Sequence, residues 1–230
     1  PETSCYEENL YYQTYDVGRY LISGENTVSA ILAGGWWIGR LGMAGDSCNY
    51  GRRLGFLMEM DILYEDGKKT QVVSDHTMVS RPSFIRYSDL FIGEKWDMTY
   101  DSGNTWTPCT ELKGGVGHVA GQPLAPVQVT HTLTDPEIIC TPAGELVLDF
   151  GQVMAGVVRM EIEARQGDVM VLEHSEVLDE HGNFKCNILG RNKDQKDICI
   201  CREGRQVFEP RFTYHGFRYV RVTGIQKEQI

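Results

Sequence analysis

The chain has 230 residues, of which 41% are hydrophobic and 23% are charged, and its 32 acidic residues outnumber its 22 basic ones. This composition excludes a wholly disordered chain. The formal net charge of -10, with Lys and Arg scattered along the sequence, argues against nucleic acid as a partner, and no apolar run approaches the roughly 20 residues of a membrane helix.

Seven cysteines are an odd number, and none of them has C-x-x-C spacing. This pattern argues against both a disulfide framework and a zinc site. We interpret the cysteines as reduced and expect a cytoplasmic protein, with a secreted or periplasmic one as the alternative. The first residues have neither the basic nor the apolar segment of a signal peptide, so no leader is expected in this sequence.

Strand signals recur every eight to twelve residues and helical periodicity is nearly absent, which predicts an all-β chain. In the first half, a turn at residues 23–26 precedes a predicted strand at 27–32. Alternating residues at 56–62 lead to the Asp66-Gly67 pair, which predicts a type I′ hairpin. Residues 81–101 lose the alternation, and we interpret them as long loops.

Prolines at 123 and 126 remove backbone donors, so we place a domain boundary there and predict two domains, 1–120 and 121–230. Beyond the boundary seven short strand-like runs alternate with turns, as is typical of a β-sandwich. They occupy 129–139, 144–151, 156–164, 168–178, 197–203, 206–216 and 217–224.

Several landmarks occur in a fixed order: GENTV (24–28), GGWWIGRLG (34–42), SDLFIGEKWD (88–97), VLDFGQ (147–152), SEVLDEHGN (175–183) and EPRFTYHGFRYV (209–220). Together they resemble the β-sandwich region that precedes the catalytic barrel in bacterial α-L-rhamnosidases of glycoside hydrolase family 78. The resemblance implies two consecutive antiparallel β-sandwiches, one jelly-roll or galactose-binding-like and one concanavalin-like. Two positions depart from the family pattern, since Val153 and Val157 stand where Asn and Trp are usual.

The resemblance also implies a longer parent enzyme that hydrolyses terminal α-L-rhamnose with inversion, and a downstream catalytic α/α barrel as the partner of this region. Relatives have their acid and base on that barrel, marked by a motif resembling DxxxRDE, which this sequence lacks. We therefore predict no catalytic residue and expect this chain alone to be inactive. The alternatives are a free-standing carbohydrate-binding or scaffold protein, and a hydrolase that uses Glu173 or Glu176.

Carbohydrate binding is predicted at an aromatic segment in which Trp36 and Trp37 lie between glycines, followed by Arg40, Asp46 and Tyr50. Because neighbours in a strand face opposite ways, one indole is expected in the core and the other at the surface. An exposed indole can cover a sugar ring, while Arg and Asp bond its hydroxyls. Packing of both indoles is the alternative.

A second set of polar residues is expected to have structural or interdomain roles. His174 and Glu176 should share a strand face because they are two residues apart. The side chains of Tyr214, Arg218 and Glu176 are expected to hydrogen-bond inside the sandwich or at a seam with the barrel, and sugar contact and catalysis are the alternatives. The strand at 214–222 is expected to present an apolar seam there. The carboxylates of Glu173, Glu176, Asp179 and Glu180 are interpreted as solvated strand ends or turns.

No cofactor or metal is predicted, and calcium is the one ion considered. Some rhamnosidases carry a calcium-dependent rhamnose-binding module that resembles the first domain. Calcium takes six to eight oxygen ligands, which Glu7, Glu8 and Asn9, or Asp46 with Asn49, could partly supply. The acidic segment at 179–183 also resembles a calcium loop, but a hairpin turn explains it more simply.

Overall fold

The computed structural model describes residues 4–42, 45–113, 117–188 and 194–230. Regular structure in these residues is almost entirely β, so the predicted fold class is confirmed. Apart from one four-residue helix, α1 (Gly35–Ile38), and two 3-10 turns (Gly18–Tyr20 and Lys227–Gln229), no helix occurs in these ranges, and none of the three could span a membrane. The strands are β1 (Asn9–Tyr12), β2 (Glu59–Leu63), β3 (Lys69–Val73), β4 (Val79–Ser80), β5 (Ile85–Asp89), β6 (Gly93–Asp97), β7 (Thr107–Pro108), β8 (His118–Gly121), β9 (Glu137–Cys140), β10 (Leu146–Gly156), β11 (Met160–Ala164), β12 (Val169–Ser175), β13 (Lys196–Ile200), β14 (Gly204–Phe208) and β15 (His215–Thr223).

The main sheet has seven strands in the order β5-β6-β13-β12-β15-β10-β9. All neighbours are antiparallel except β6 and β13, which run parallel. An antiparallel ribbon of β11 and β14 packs against this sheet, and the two inner faces form the hydrophobic core. The seven strands predicted after residue 121 correspond to β9 through β15, which confirms that part of the sequence interpretation.

Period-two alternation builds the core. In β11 the side chains of Met160, Ile162 and Ala164 are buried while the glutamates between them are exposed. Met170 and Leu172 of β12 face them from the seven-stranded sheet. Alternation of this kind fixes the register, because a slip of one residue would expose the whole buried set.

The expectation of loops at 81–101 is wrong. These residues form β5 and β6, and Trp96 is only 3% exposed inside the core of the second sandwich. The signal was weak because charged residues interrupt the apolar pattern, yet Glu94 is itself buried. The main sheet thus includes strands from both sides of residue 120, while the division into 1–120 and 121–230 stays a prediction.

Elsewhere before residue 121, the described strands form three two-stranded sheets: parallel β1-β8, and antiparallel β2-β3 and β4-β7. The predicted hairpin is confirmed, but its turn is not type I′. The Tyr64 N–H bonds to the Lys68 carbonyl across a three-residue loop, and Gly67 alone takes a positive φ, of 82°. This loop is a type I turn followed by a glycine bulge.

The predicted strand at 27–32 is wrong, because these residues are exposed and pair with no other described strand. The turn before it does form. The Asn26 side chain accepts a hydrogen bond from the Ile22 N–H and donates to the carbonyls of Ile22 and Gly24. Side-chain bonds of this kind compete with strand pairing, which favours the irregular conformation.

Candidate functional site

Trp36 and Trp37 lie on helix α1 and not on a strand. Neighbouring side chains on a helix diverge, and the Trp36 ring packs edge-on against Phe91 at 5.6 Å between centroids, while Trp37 packs edge-on against Tyr6 at 5.5 Å. Both indoles are half-buried. The expected division into one core indole and one surface indole is therefore wrong.

Trp37 is the centre of an aromatic cluster that also contains Tyr6 and Tyr50. The Trp37 and Tyr50 rings lie 6.2 Å apart at 20°, and Tyr6 stands perpendicular to Tyr50 at 4.8 Å. The indole N–H of Trp37 donates to the Arg53 carbonyl at 3.1 Å. A Cβ at Gly51 would lie 2.3 Å from that indole nitrogen, so only glycine allows this approach.

The other predicted sugar-binding residues are divided between two places. The Arg40 backbone N–H donates to Asp89 Oδ2 at 3.1 Å, and its guanidinium Nε lies 3.9 Å from the same oxygen. Asp46 is exposed, forms a backbone bridge with Leu41, and its carbonyl accepts a bond from the Asn49 side chain. The structure thus brings Trp37 and Tyr50 together and directs Arg40 to β5. Tyr6 was missed because no spacing rule connects it to the helix.

The structural polar residues also separate. Arg218 forms two hydrogen bonds to Asp149, at 2.7 and 2.8 Å, across β10 and β15. Tyr214 is 45% exposed, and the exposed Glu176 accepts a bond from the Asn187 side chain at 3.1 Å.

The expected shared face of His174 and Glu176 is wrong. Strand β12 ends at Ser175, whose hydroxyl bonds to the carbonyls of Val177 and Lys185 and turns the chain away. His174 is consequently buried while Glu176 is exposed.

The apolar seam expected at 214–222 is likewise wrong. Strand β15 lies between β12 and β10 inside the sheet, so its backbone is paired on both sides. Arg218 and Arg221 project from it, and Arg221 pairs with Glu145 and Glu173 at 2.6 Å each. The surface of this strand therefore carries ion pairs and is not apolar.

The four carboxylates considered for catalysis are all engaged. Glu173 pairs with Arg221 and Lys196, and Glu180 lies 3.6 Å from His181. Asp179 accepts the N–H groups of His181 and Asn183, and these bonds lower its pKa. Its segment closes as the predicted turn, with Leu178 bridged to Phe184. These contacts account for Glu173, Asp179 and Glu180 as turn or ion-pair residues, while the exposed Glu176 is bonded to Asn187.

A buried polar cluster lies at one end of the core, and sequence reasoning identified only part of it. Asp197 Oδ2 lies 3.1 Å from His215 Nε2 and 3.7 Å from His174 Nε2, and all three side chains are fully buried. The imidazoles stack at 4.0 Å between centroids, and the pKa of His174 falls to about 3, chiefly because burial disfavours its charged form and secondly because of His215. The atoms that these residues offer as ligands lie within 4.8 Å of one another, so the set could hold a metal ion.

Glu94 extends the cluster towards the ribbon. Its carboxylate accepts the Trp96 indole N–H at 2.6 Å and the backbone N–H groups of Arg211 and Phe212 at 2.8 and 2.9 Å, while its own N–H donates to Asp197 Oδ1. Burial is the largest influence on the pKa of Glu94 and raises it. Glu94 and Asp197 each stand at a position where the alternation of their strand predicts a buried side chain. A charged residue at such a position was the available signal in the sequence.

A seven-stranded sheet covered by a two-stranded ribbon, with a shared hydrophobic core, defines a β-sandwich protein. Residues 1–131 match the family described as α-L-rhamnosidase N-terminal domain, and residues 139–230 match the bacterial α-L-rhamnosidase concanavalin-like domain. The chain belongs to the bacterial α-L-rhamnosidase family and corresponds to these two domains.

Comparison with individual proteins gives the same family. An α-L-rhamnosidase of Streptomyces avermitilis is 31% identical over 97% of this chain and 23% of its own length. The crystal structure of the Streptomyces avermitilis enzyme complexed with L-rhamnose has a TM-score of 0.82 at 29% identity, over 96% of this chain and 22% of that one. The native Aspergillus terreus enzyme has a TM-score of 0.77 at 30% identity, over 85% and 24%. The chain spans about a quarter of the length of the curated relatives it matches.

Proposed function

We propose that this chain is the non-catalytic β-sandwich portion of an α-L-rhamnosidase-like glycoside hydrolase and supports a downstream catalytic α/α barrel. The parent enzyme hydrolyses terminal α-L-rhamnose with inversion. In support, similar proteins are named α-L-rhamnosidases, and three of the four candidate carboxylates here, Glu173, Asp179 and Glu180, are held in ion pairs or a turn. The chain alone should leave a chromogenic α-L-rhamnoside intact at high protein concentration, and rapid release of the chromophore would contradict the proposal.

The same chain binds rhamnose at the aromatic cluster of Trp37, Tyr50 and Tyr6. The observation that carries this proposal is a half-buried indole lying nearly parallel to a tyrosine ring, with the exposed Asp46 on the segment between them. Rhamnose is a 6-deoxy sugar, so its methyl group adds an apolar surface that suits an aromatic face, while a carboxylate can accept bonds from its hydroxyls. A similar structure complexed with L-rhamnose supports this sugar as the first ligand to test.

A titration with L-rhamnose, followed by amide chemical shifts and tryptophan fluorescence, tests the binding proposal. We expect saturable shifts near Trp37, Tyr50 and Asp46, and weaker or no shifts with glucose or galactose. Trp37→Ala should abolish them. Trp106→Ala is the control, because Trp106 is an exposed tryptophan outside this cluster that contacts Arg81. Absence of shifts at high millimolar sugar, or equal shifts in both variants, would contradict binding at this cluster.

Calcium is tested in the same titration. If Asp46 and Asn49 help to hold calcium, a chelator should weaken the rhamnose-dependent shifts and added calcium should restore them. Asp46→Asn should then lose the calcium dependence. If the chelator changes nothing, rhamnose binds without calcium.

A further inference from the structure

Four buried side-chain atoms have no hydrogen-bond partner among the described residues: His174 Nε2, His215 Nδ1, Gln195 Oε1 and Thr213 Oγ1. Two belong to the buried cluster, and the other two belong to residues within two positions of Asp197 or His215 in the sequence. Buried polar groups are nearly always paired in folded proteins, and a concentration of unpaired ones in one region points to an unseen ion or water. The cluster is independent of the sugar-binding proposal.

The hydrogen bonding of His174 points to an ion. Its Nδ1 lies 3.2 Å from the Gln195 carbonyl, which can only accept, so Nδ1 carries the proton of the neutral ring. The Nε2 lone pair then faces Asp197 Oδ2 at 3.7 Å, too far for a hydrogen bond and with no proton between the two atoms. A histidine that donates one ring N–H to a carbonyl and keeps the other nitrogen bare is typical of a metal ligand.

The two separations from Asp197 fit a small divalent ion, and all the ligand atoms of the three residues lie within 4.8 Å of one another. Ligands at about 2.1 Å in a tetrahedral arrangement lie about 3.4 Å apart. The two distances to Asp197 Oδ2, 3.1 Å from His215 and 3.7 Å from His174, bracket that value. Two imidazoles and one carboxylate favour zinc or a neighbouring first-row metal, whereas calcium and magnesium prefer oxygen ligands alone.

The charge balance favours a cation as well. Asp197 and Glu94 are both buried, and among the described residues neither has a Lys or Arg ion-pair partner. Buried carboxylates are normally paired or bound to metal.

We propose that His174, Asp197 and His215 bind a divalent transition-metal ion, with zinc as the first candidate, and that this ion ties β12, β13 and β15 together at one end of the core. The stacked rings, at 22° to each other, require the His215 ring to turn so that both nitrogens point at the ion. As Nε2 of His215 binds the metal, its proton moves to Nδ1, so the ring stays neutral and the metal replaces an N–H···O contact.

The test uses the whole chain, purified without a polyhistidine tag, stripped with a chelator and treated with a thiol-blocking reagent so that the exposed cysteines do not bind zinc. Metal content after dialysis against zinc chloride should reach one ion per chain. The melting temperature should rise by about 5 °C or more with saturating zinc. Cobalt(II) should give the intense visible absorption of a four-coordinate ion.

Matched variants locate the site. His174→Gln and Asp197→Asn keep the side-chain size and should lose the bound ion and the stabilisation, while His181→Gln, at an exposed histidine, should keep both. If a replacement prevents folding, the histidine ¹⁵N shifts of the unaltered protein test the site instead. Zinc should move the shifts of His174 and His215 and of no other histidine. Unchanged shifts and melting temperature, or equal binding in folded variants, would overturn the proposal. Histidine shifts that respond to pH but not to metal would also overturn it and assign the cluster to protons or water.

Discussion

Gly93 lies so close to the Lys196 carbonyl that a Cβ on Gly93 would be 2.1 Å from the oxygen. The contact lies where β6 begins beside the parallel strand β13, and Gly93 has a φ of 128°, which L side chains rarely adopt. Because the neighbouring atom is backbone, it cannot move aside without separating the two strands.

Gly93→Ala should therefore lower the free energy of unfolding by about 3 kcal/mol or more. Gly67→Ala is the control, since Gly67 also has a positive φ but no atom within 4 Å of the added Cβ. Its cost should be about 1 kcal/mol. Urea denaturation of both variants measures the difference, and equal losses would show that strain alone matters at Gly93.

The Asp149–Arg218 pair predicts a pH dependence. Hydrogen bonds from Arg218 lower the pKa of Asp149 below its usual 3.8, so the folded state favours the ionised form. Its stabilisation is present in full above the pKa of the unfolded chain and is lost as the pH falls through the lower folded value. Arg218→Met should cost about 1 kcal/mol near pH 7, allowing for the partial exposure of the pair.

Melting temperatures measured from pH 7 to pH 2 should converge for the unaltered protein and Arg218→Met at the acid end. Arg205→Met, which removes one of the two arginines paired with the exposed Glu161, serves as control and should change stability much less at every pH. A constant offset across the range would mean that Arg218 stabilises through packing and not through charge.

Glu94 should be the most sensitive carboxylate in the sheet. Glu94→Gln replaces an oxygen that accepts from N–H groups with an amide that donates, so at least one of the Trp96, Arg211 and Phe212 N–H groups loses its partner. We expect a loss of about 2 to 4 kcal/mol in the free energy of unfolding.

Intrinsic fluorescence follows this change because Trp96 lies beside the replaced group. Glu161→Gln, at an exposed position of β11, should stay within about 0.5 kcal/mol of the unaltered protein. Equal stability of the two variants would mean that the loop at 211–212 is held by other contacts.

Gly51 controls the position of the Trp37 indole. Gly51→Ala would place a methyl group 2.3 Å from Trp37 Nε1, so the indole should move away from Tyr50 and break its bond to the Arg53 carbonyl. Tryptophan emission should shift to the red and rhamnose-dependent shifts should weaken.

Gly55→Ala is the matched control, because its Cβ would meet only the tip of Leu112 at 3.4 Å. It should leave emission and sugar titration unchanged. If Gly51→Ala binds rhamnose normally although its emission shifts, the sugar does not contact Trp37.

The sequence predicted the regular part of the fold well. Alternation in MEIEA and VMVLEH identified β11 and β12, and the Asp66-Gly67 pair located a real hairpin. These signals are local, because they depend on which side chains a strand buries. The type of the turn was not predicted, since type I with a bulge and type I′ both use Asp-Gly.

Long-range features were not predictable in the same way. β6 was missed because its buried Glu94 looks like a surface residue until Trp96, Arg211 and Phe212 surround it, and because one of its two partner strands, β13, lies far along the chain. Tyr6 contacts Trp37, and Asp197 contacts His174, only because the fold brings these residues together, and no local sequence pattern connects them. Residues 35–38 form a helix although a strand was expected, because the glycines on both sides allow a tight turn there.

The parallel pairing of β6 with β13 has a consequence for how the chain is made. During synthesis β6 emerges long before β13, and Trp96 finds its neighbour Phe208 only after β14 has followed. Until then an indole and an unpaired strand edge stay open to other molecules, and closing so long a loop is slow. Folding of this region is therefore completed only after β14 has been synthesised, and the hairpin of β5 and β6 stays without its distant strand partner in the interval.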